Sequence, residues 1–185
     1  MVGTDWYKLP AFTFAQAERA LGHGFNIGPV HQRTVLRARL KHFVRLGLVH
    51  VEKSRTRARY SRAQIAQLAL AVVLAQLGGM DPTLATSIIR NNWPVIAGTI
   101  ESVTGPEVRN SREPYFLCLW SETTTGPWAR RPPISLSVLR LQELNPLIPA
   151  PNQHLIQLVN ANRGQWLCFF NLTDLFTRIE AALPS

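Results

Sequence analysis

The sequence predicts an α+β protein in which helices and a short basic hairpin are followed by a small module of antiparallel strands with a terminal helix. Apolar residues recur at helical spacing up to about residue 92, and three short apolar segments rich in aromatic and β-branched residues follow residue 112. Of the 185 residues, 46% are hydrophobic and 17% are charged. A folded chain with a sizeable apolar core is therefore expected.

The first predicted helix covers residues 14–21, with Thr13 as its N-cap and Gly22 at its end. The segment GHGFNIGP, residues 22–29, then interrupts the helical pattern. A second, longer helix follows it, and Pro29 is suited to its first turn.

The second predicted helix has two chemically different faces. Its apolar stripe, at spacings i, i+4, i+7 and i+8, consists of Leu36, Leu40, Phe43 and Val44. At 100° per residue, the residues that project from the other side are Thr34, Ala38, Lys41, His42 and Arg45. Arg37 and Arg39 lie on the two flanks. We expect the helix to pack with its stripe and to present a basic surface.

A basic hairpin is predicted after this helix. Gly47 ends the helix, and LVHVEK followed by SRT and RARY indicates two short strands around a turn. Val49 and Val51 can point inward together because side chains alternate along a strand. The cations of the turn are Lys53, Arg55 and Arg57.

Two more helices are expected after the hairpin. Ser61 can cap a helix that runs to residue 77 and is closed by two glycines. Asp81 followed by Pro82 is a second N-cap signal, for a helix that runs to about residue 92. Pro94 is expected to end or kink it, because proline removes a backbone donor and clashes with the preceding turn. We place a domain junction at residues 95–112.

The remaining residues, 113–185, predict a small module of antiparallel strands with a terminal helix. The strand segments are YFLCLW (115–120), ISLSVLRL (134–141) and QWLCFF (165–170), separated by proline-rich loops. Thr173 is the predicted N-cap of the last helix. Its apolar face consists of Leu175, Phe176, Ile179 and Leu183.

The formal net charge of +9 is concentrated in one part of the chain. Residues 1–62 hold twelve basic and three acidic residues, whereas residues 63–185 hold eight of each. Between residues 33 and 62, ten basic residues accompany a single acid, Glu52. This concentration is typical of a protein that binds a phosphate backbone, although a solvated basic face is the simpler alternative.

A helix, a turn, a helix with one basic face and a basic hairpin form, in this order, a winged helix-turn-helix. The segment RLKHFVRLGL at 39–48 and the hairpin end RARYS at 57–61 resemble the DNA-binding domain of MerR-type transcriptional regulators. The two helices after the hairpin also resemble that family, so the resemblance covers about residues 12–92.

The resemblance implies roles for individual residues. Leu40 and Phe43 would be core positions, Lys41 and His42 would face DNA, and Arg59 and Tyr60 would touch the phosphate backbone. Each role has a plainer alternative. Arg37 and Arg39 could pair with acids of the same domain, of which Glu18 and Glu52 are the nearest in sequence. His42 could be an uninvolved surface residue. Tyr60 could plug the hairpin against the core, which is compatible with a backbone contact through its hydroxyl.

These observations lead to a functional hypothesis. Residues 1–94 would form the winged-helix domain of a cytoplasmic, sequence-specific regulator of transcription that binds double-stranded DNA as a homodimer, with the hairpin on flanking backbone or minor groove. RNA polymerase is a further candidate partner. The candidate DNA-binding residues are Arg33, Thr34, Arg37, Arg39, Lys41, His42, Arg45, Lys53, Arg55, Arg57, Arg59, Tyr60 and Arg62. An excisionase-like protein that bends DNA, or an adaptor that docks an acidic partner, are the alternatives.

Other classes of protein have less support. Motifs of zinc proteases, redox dithiols and nucleophile elbows are absent, as is a close pair of carboxylates, so no enzyme, cofactor or metal is expected. Cys118 and Cys168 lie in apolar strand patterns and are expected to be buried thiols. No signal peptide or membrane span is predicted. Residues 113–185 would serve dimerisation or effector binding, and their aromatic residues favour a core over a ligand pocket; these are Trp120, Trp128, Trp166, Phe169 and Phe170.

Overall fold

The structure is a computed structural model that describes residues 9, 11–28, 30–50, 58–77, 79–104, 114–121, 134–140 and 167–184. In chain order its elements are β1 (Phe12–Thr13), α1 (Phe14–Gly24), α2 (Val30–Arg45), β2 (Arg59–Tyr60), α3 (Arg62–Val72), α4 (Pro82–Thr104), β3 (Tyr115–Ser121), β4 (Ile134–Arg140), β5 (Leu167–Asn171) and α5 (Leu172–Ala182). A π-helical turn, Val73–Leu77, extends α3. Across these ranges no helix is both long enough and apolar enough to cross a membrane.

The strands form two small antiparallel sheets. In the first, β1 pairs with β2, so that Phe12 lies opposite Tyr60. In the second, the strand order is β4-β3-β5, and Leu117 of β3 lies opposite Val138 and Phe170. The three strands predicted after residue 112 are all present. The α+β class is confirmed.

Helix α1 begins where the sequence predicts but ends later. The Thr13 hydroxyl accepts a hydrogen bond from the backbone N–H of Gln16, whose side chain accepts one from the backbone N–H of Thr13, which is a capping box. Gly22 does not end the helix, which continues to Gly24. A glycine is tolerated within a helix at modest cost, and the break comes at Asn26, whose φ of 53° is left-handed.

Helix α2 packs with the predicted stripe, because Leu36, Leu40 and Phe43 are buried. Gly47 terminates it as predicted, with a φ of 74° that favours glycine. The backbone N–H groups of Gly47 and Leu48 donate to the carbonyls of Val44 and Phe43, respectively, as in a Schellman motif.

The strand β2 has a partner that the sequence analysis missed. It pairs with β1, which precedes α1, and Ala11 also donates its N–H to the Tyr60 carbonyl at 3.0 Å. The first predicted hairpin strand begins in residues 48–50, which are not a strand, and residues 51–57, with Val51, lie outside the described residues. The hairpin therefore stays a prediction.

Helix α4 differs most from its prediction. Asp81 is the expected N-cap, since its Oδ1 accepts hydrogen bonds from the N–H groups of Thr83 and Leu84. The helix does not end at Pro94 but continues through it to Thr104. Proline removes one hydrogen bond, whereas the buried residues Ile96 and Ile100 hold the following turns against the core. Residues 95–104 of the predicted junction are thus helical, and the division into two domains stays a prediction.

The N-cap of helix α5 lies two residues before the predicted one. Its N-cap is Asn171, whose Oδ1 accepts a hydrogen bond from the N–H of Asp174 at 3.1 Å. Thr173 is not the cap; its hydroxyl accepts a hydrogen bond from the N–H of Tyr115 at 2.8 Å. Asn and Thr both favour caps, so the fit of the terminal helix to strand β3 decides between them.

The core continues from the first helices to the last one. Helix α5 packs on α1 and α4, and its buried residues join the same apolar cluster as those of α1, α2 and α3. The residues that it contributes are Leu172, Leu175, Phe176 and Ile179. The terminal helix of the predicted C-terminal module therefore shares one apolar core with α2, the helix that carries the predicted basic surface.

Candidate nucleic-acid interface

The side of α2 opposite its apolar stripe is open to solvent. All five residues predicted there are exposed, and we call them the basic face: Thr34, Ala38, Lys41, His42 and Arg45. Four of them recur at i, i+4, i+7 and i+11, so they form one row along the helix, about 16 Å long at 1.5 Å per residue. Burial of the stripe therefore fixes which side chains meet a partner.

The polar groups of the basic face point outward. The Thr34 hydroxyl donates to the Val30 carbonyl at 3.3 Å, which leaves its lone pairs available as acceptors. The ring of His42 lies 6.4 Å from the ring of Phe43, centroid to centroid. The face thus combines two cations with an imidazole, a hydroxyl and a methyl group.

Arg37, on one flank of α2, has an internal partner. Its Nε donates to both carboxylate oxygens of Glu18 on α1, at 2.8 and 3.0 Å. This hydrogen bond, and then the charge of Glu18, raise the pKa of Arg37. In the described part of the chain, no ion pair involves Arg33, Arg39, Lys41 or Arg45, all of which are exposed. Most of the cations on α2 are therefore available to an external anion.

Arg62 occupies a different environment from the cations of α2. Its Nε lies 3.1 Å from Oε2 of Glu180 on α5, and its guanidinium carbon lies 4.9 Å from the centre of the Phe12 ring. Its side chain is only 22% exposed. The guanidinium of this predicted DNA-binding residue already joins α3 to α5 and β1.

Arg59 and Tyr60 lie at the end of the predicted hairpin. Arg59 is exposed, and its Nη1 donates to the Ala11 carbonyl at 2.8 Å. Tyr60 is only 4% exposed, its ring lies 6.0 Å from that of Phe14, and burial raises the pKa of its hydroxyl. Tyr60 thus packs β2 against the core, and its predicted contact with the phosphate backbone stays a prediction.

His50, the residue before segment 51–57, is held next to the start of α3. Residues Lys53, Arg55 and Arg57 lie in this segment, outside the described residues. The side chain of Gln64 accepts a hydrogen bond from the N–H of Ser61 at 2.8 Å and donates one to the His50 carbonyl at 2.5 Å. The sequence analysis missed Gln64, although Ser61-x-x-Gln64 is the signature of a capping box.

An open cleft lies between the basic face and the elements α1 and β2. Its volume is about 580 Å³, and its lining residues are Phe14, Ala38, Lys41, Val44, Arg45 and Tyr60. These residues come from α1, α2 and β2. No linear motif could have indicated the cleft, because only folding brings the three elements together.

Other candidate sites receive no support from the described residues. Within them, no group of three His, Cys, Asp or Glu could hold a metal ion. Cys118 and Cys168 lie on β3 and β5, where the backbone register places them opposite Phe169 and Leu119. Trp128 and Trp166 lie outside the described residues.

Comparisons with known proteins do not place this chain in a family. No family model, no curated protein and no solved structure gave a significant match to this chain.

Proposed function

We propose that the basic face of α2 binds double-stranded DNA in the major groove and that the protein is a dimeric, sequence-specific regulator of transcription. The observation that carries this proposal is the contrast between the two sides of α2. One side is buried, and the other exposes Lys41, Arg45 and their neighbours without ion-pair partners among the described residues. A helix inserts into the major groove with one such side.

The chemistry of the basic face suits base edges as well as phosphates. Lys41 and Arg45 can donate to guanine O6 and N7, Thr34 and His42 can exchange hydrogen bonds with either base of a pair, and Ala38 can contact a thymine methyl group. Arg33 and Arg39 would reach the flanking phosphates from the first turn and the far flank of the helix.

The segment 51–57 would extend the contact along the duplex. The residue before it, His50, is hydrogen-bonded to α3, and the three cations of the segment, together with exposed Arg59, would lie on the backbone or in the minor groove beside the helix. Dimerisation would repeat these contacts on a second half-site, as two-fold protein symmetry does on palindromic DNA.

Binding to randomised 30-bp duplexes, monitored by fluorescence anisotropy at several salt concentrations, tests this proposal. If six to ten phosphates are neutralised, log Kd should change with log salt with a slope of about 5–9 in magnitude. Arg45→Gln should weaken binding and, if Arg45 holds a phosphate, reduce that slope by about 0.9. Arg90→Gln is the matched control, since Arg90 is exposed on α4, and it should leave both quantities unchanged.

Three outcomes would contradict the proposal. Absence of duplex binding at about 0.15 M salt, where exposed charges are screened beyond about 8 Å, would favour an acidic protein partner instead. Equal losses in Arg45→Gln and Arg90→Gln would show that net charge alone attracts the DNA. Bending of the duplex without any effect on a promoter would indicate an architectural protein.

A further inference from the structure

The cleft beside the basic face combines an apolar floor with a cationic rim. Of the described residues that line it, four are apolar or aromatic, namely Phe14, Ala38, Val44 and Tyr60. The tilted rings of Phe14 and Tyr60 lie 6.0 Å apart, and Tyr60 is almost fully buried, so the two rings pack as one unit beneath the opening. Contact with an apolar ligand would therefore require little ordering of side chains.

The rim of the cleft carries two positive charges. Lys41 and Arg45 are one helical turn apart on the same side of α2, and both are exposed. Among the described residues, no acid lines the cleft and no ion pair involves either cation. The charge of the rim therefore complements an anion.

The size and lining of the cleft favour a small molecule over a DNA backbone. Its volume of about 580 Å³ lies within the range of about 300–1,000 Å³ that is usual for ligand pockets, which are mostly apolar with a few polar groups. Backbone phosphates are contacted mainly by cations, hydroxyls and backbone N–H groups. An apolar floor has no such function, but it suits the body of an aromatic or aliphatic acid.

We propose that this cleft is a binding site for an amphipathic organic anion, with an apolar body on Phe14, Val44 and Tyr60 and an acid group at Lys41 and Arg45. Because both cations belong to the basic face, the bound anion would withdraw them from DNA and act as a competitive effector. The competition rests on the proposed DNA binding, whereas the ligand site does not.

Titration of the full chain with 2-naphthoate, monitored through the chemical shifts of the backbone amides in NMR spectra, tests the site directly. Saturable one-to-one binding is expected, with shifts concentrated at the lining residues. The neutral 2-naphthalenemethanol and inorganic phosphate, which each carry half of the required chemistry, should bind at least ten-fold more weakly. Equal binding of phosphate would overturn the proposal in favour of a backbone-phosphate site, and equal binding of the alcohol would overturn it in favour of a merely apolar surface.

Substitutions in α2 locate the ligand. Ala38→Leu fills the cleft and keeps both charges, so it should weaken naphthoate binding at least ten-fold; Arg45→Gln should weaken it at least five-fold. Arg39→Gln is the control, since Arg39 is an exposed cation that does not line the cleft, and it should have no effect. Unchanged binding by Ala38→Leu would overturn the proposed position.

A competition experiment separates the two proposals. Saturating naphthoate should raise the apparent Kd for a bound duplex at least five-fold in the wild type. In Ala38→Leu, naphthoate should not change the Kd that this variant shows without it. If naphthoate occupies the cleft without displacing DNA, the competitive role is wrong. If no duplex binds even without naphthoate, DNA binding is wrong, and the NMR titration still decides the ligand site.

Discussion

The arginines of this protein differ in what their guanidinium groups already contact. Arg37 is held by Glu18, and Arg62 by Glu180 and the ring of Phe12. Arg45 is exposed without an ion pair in the described residues. A surface pair such as that of Arg37 contributes little to stability, whereas the pair of Arg62 is largely shielded from water. Only a cation without an internal partner can neutralise a phosphate without first losing a bond.

Arg62→Gln should therefore lower stability more than DNA affinity. The substitution removes the charge of Arg62 from its contact with Glu180, which is only 16% exposed, so we expect a loss of about 1–3 kcal/mol in the free energy of unfolding. Urea denaturation measures this loss. The salt slope of DNA binding should not change, and a decrease equal to that in Arg45→Gln would show that Arg62 contacts DNA.

At the scale of helices, the close approach of α1 and α5 depends on a residue without a side chain. A Cβ atom at Gly24 would lie 2.5 Å from Cγ1 of Ile179 and 3.2 Å from Cδ1 of Leu175. His23 also meets α5 here, since its Nδ1 lies 3.0 Å from the Arg178 carbonyl. Because buried branched side chains have little room to move, the two helices would have to separate.

Gly24→Ala and Gly22→Ala form a matched pair of predictions. Gly24→Ala should destabilise the protein by about 1–3 kcal/mol through overpacking. At Gly22 the nearest atom to a Cβ is Cδ2 of Leu36 at 3.9 Å, so the better helix propensity of alanine should stabilise the fold by up to about 1 kcal/mol. Thermal unfolding should show opposite shifts in Tm, and equal shifts would contradict the packing of α1 against α5.

Helix α4 continues through a proline, Pro94. Pro94 is exposed and cannot donate a hydrogen bond to the carbonyl four residues earlier. Nearby, the side chain of Asn92 donates to the Ile88 carbonyl, six residues before the proline, at 2.8 Å. Burial of Ile89, Ile96 and Ile100 on either side keeps both halves of the helix in the core.

Pro94→Ala should stabilise the protein by about 1–2 kcal/mol. Proline costs about 3 kcal/mol in a helix interior, and the greater freedom of the unfolded alanine chain offsets up to about 1 kcal/mol of the gain. Val95→Ala is the control at a 79% exposed neighbour and should change stability by less than about 0.5 kcal/mol. A loss of stability in Pro94→Ala, measured by urea denaturation, would show that α4 is not continuous.

At the scale of the whole molecule, the last helix completes the core beneath the basic surface. Helix α5 buries four apolar residues against elements from the first half of the chain. Full burial of such side chains contributes about 1.5–3 kcal/mol each, so their sum is comparable with the whole stability of a domain. Residues 1–94 thus contain the basic face but not all of its support.

Phe176→Ala should destabilise the protein by about 3–5 kcal/mol, because Phe176 is 1% exposed. The loss should appear as one cooperative transition, detected at the same urea concentration by circular dichroism and by DNA binding. Thr177→Ala is the exposed control and should change little. Two separate transitions, with DNA binding retained through the first, would instead support independent domains at 1–94 and 113–185.

The sequence by itself determined the elements whose cause is local. The apolar stripe of α2, the caps at Thr13, Ser61 and Asp81, and the three strands follow from spacing and cap chemistry within a few residues. The exposure of the basic face follows too, because a helix that buries one side must expose the other.

Tertiary structure alone decided what depends on contacts between distant residues. Helix α4 continues through Pro94, the N-cap of α5 is Asn171 and not Thr173, and β2 pairs with β1. Tertiary structure also divided the cations, since Arg62 meets Glu180 across 118 positions of sequence. The spacing of apolar residues predicts which side of an element is buried. Which element packs against that side depends on the packing free energy of the whole chain.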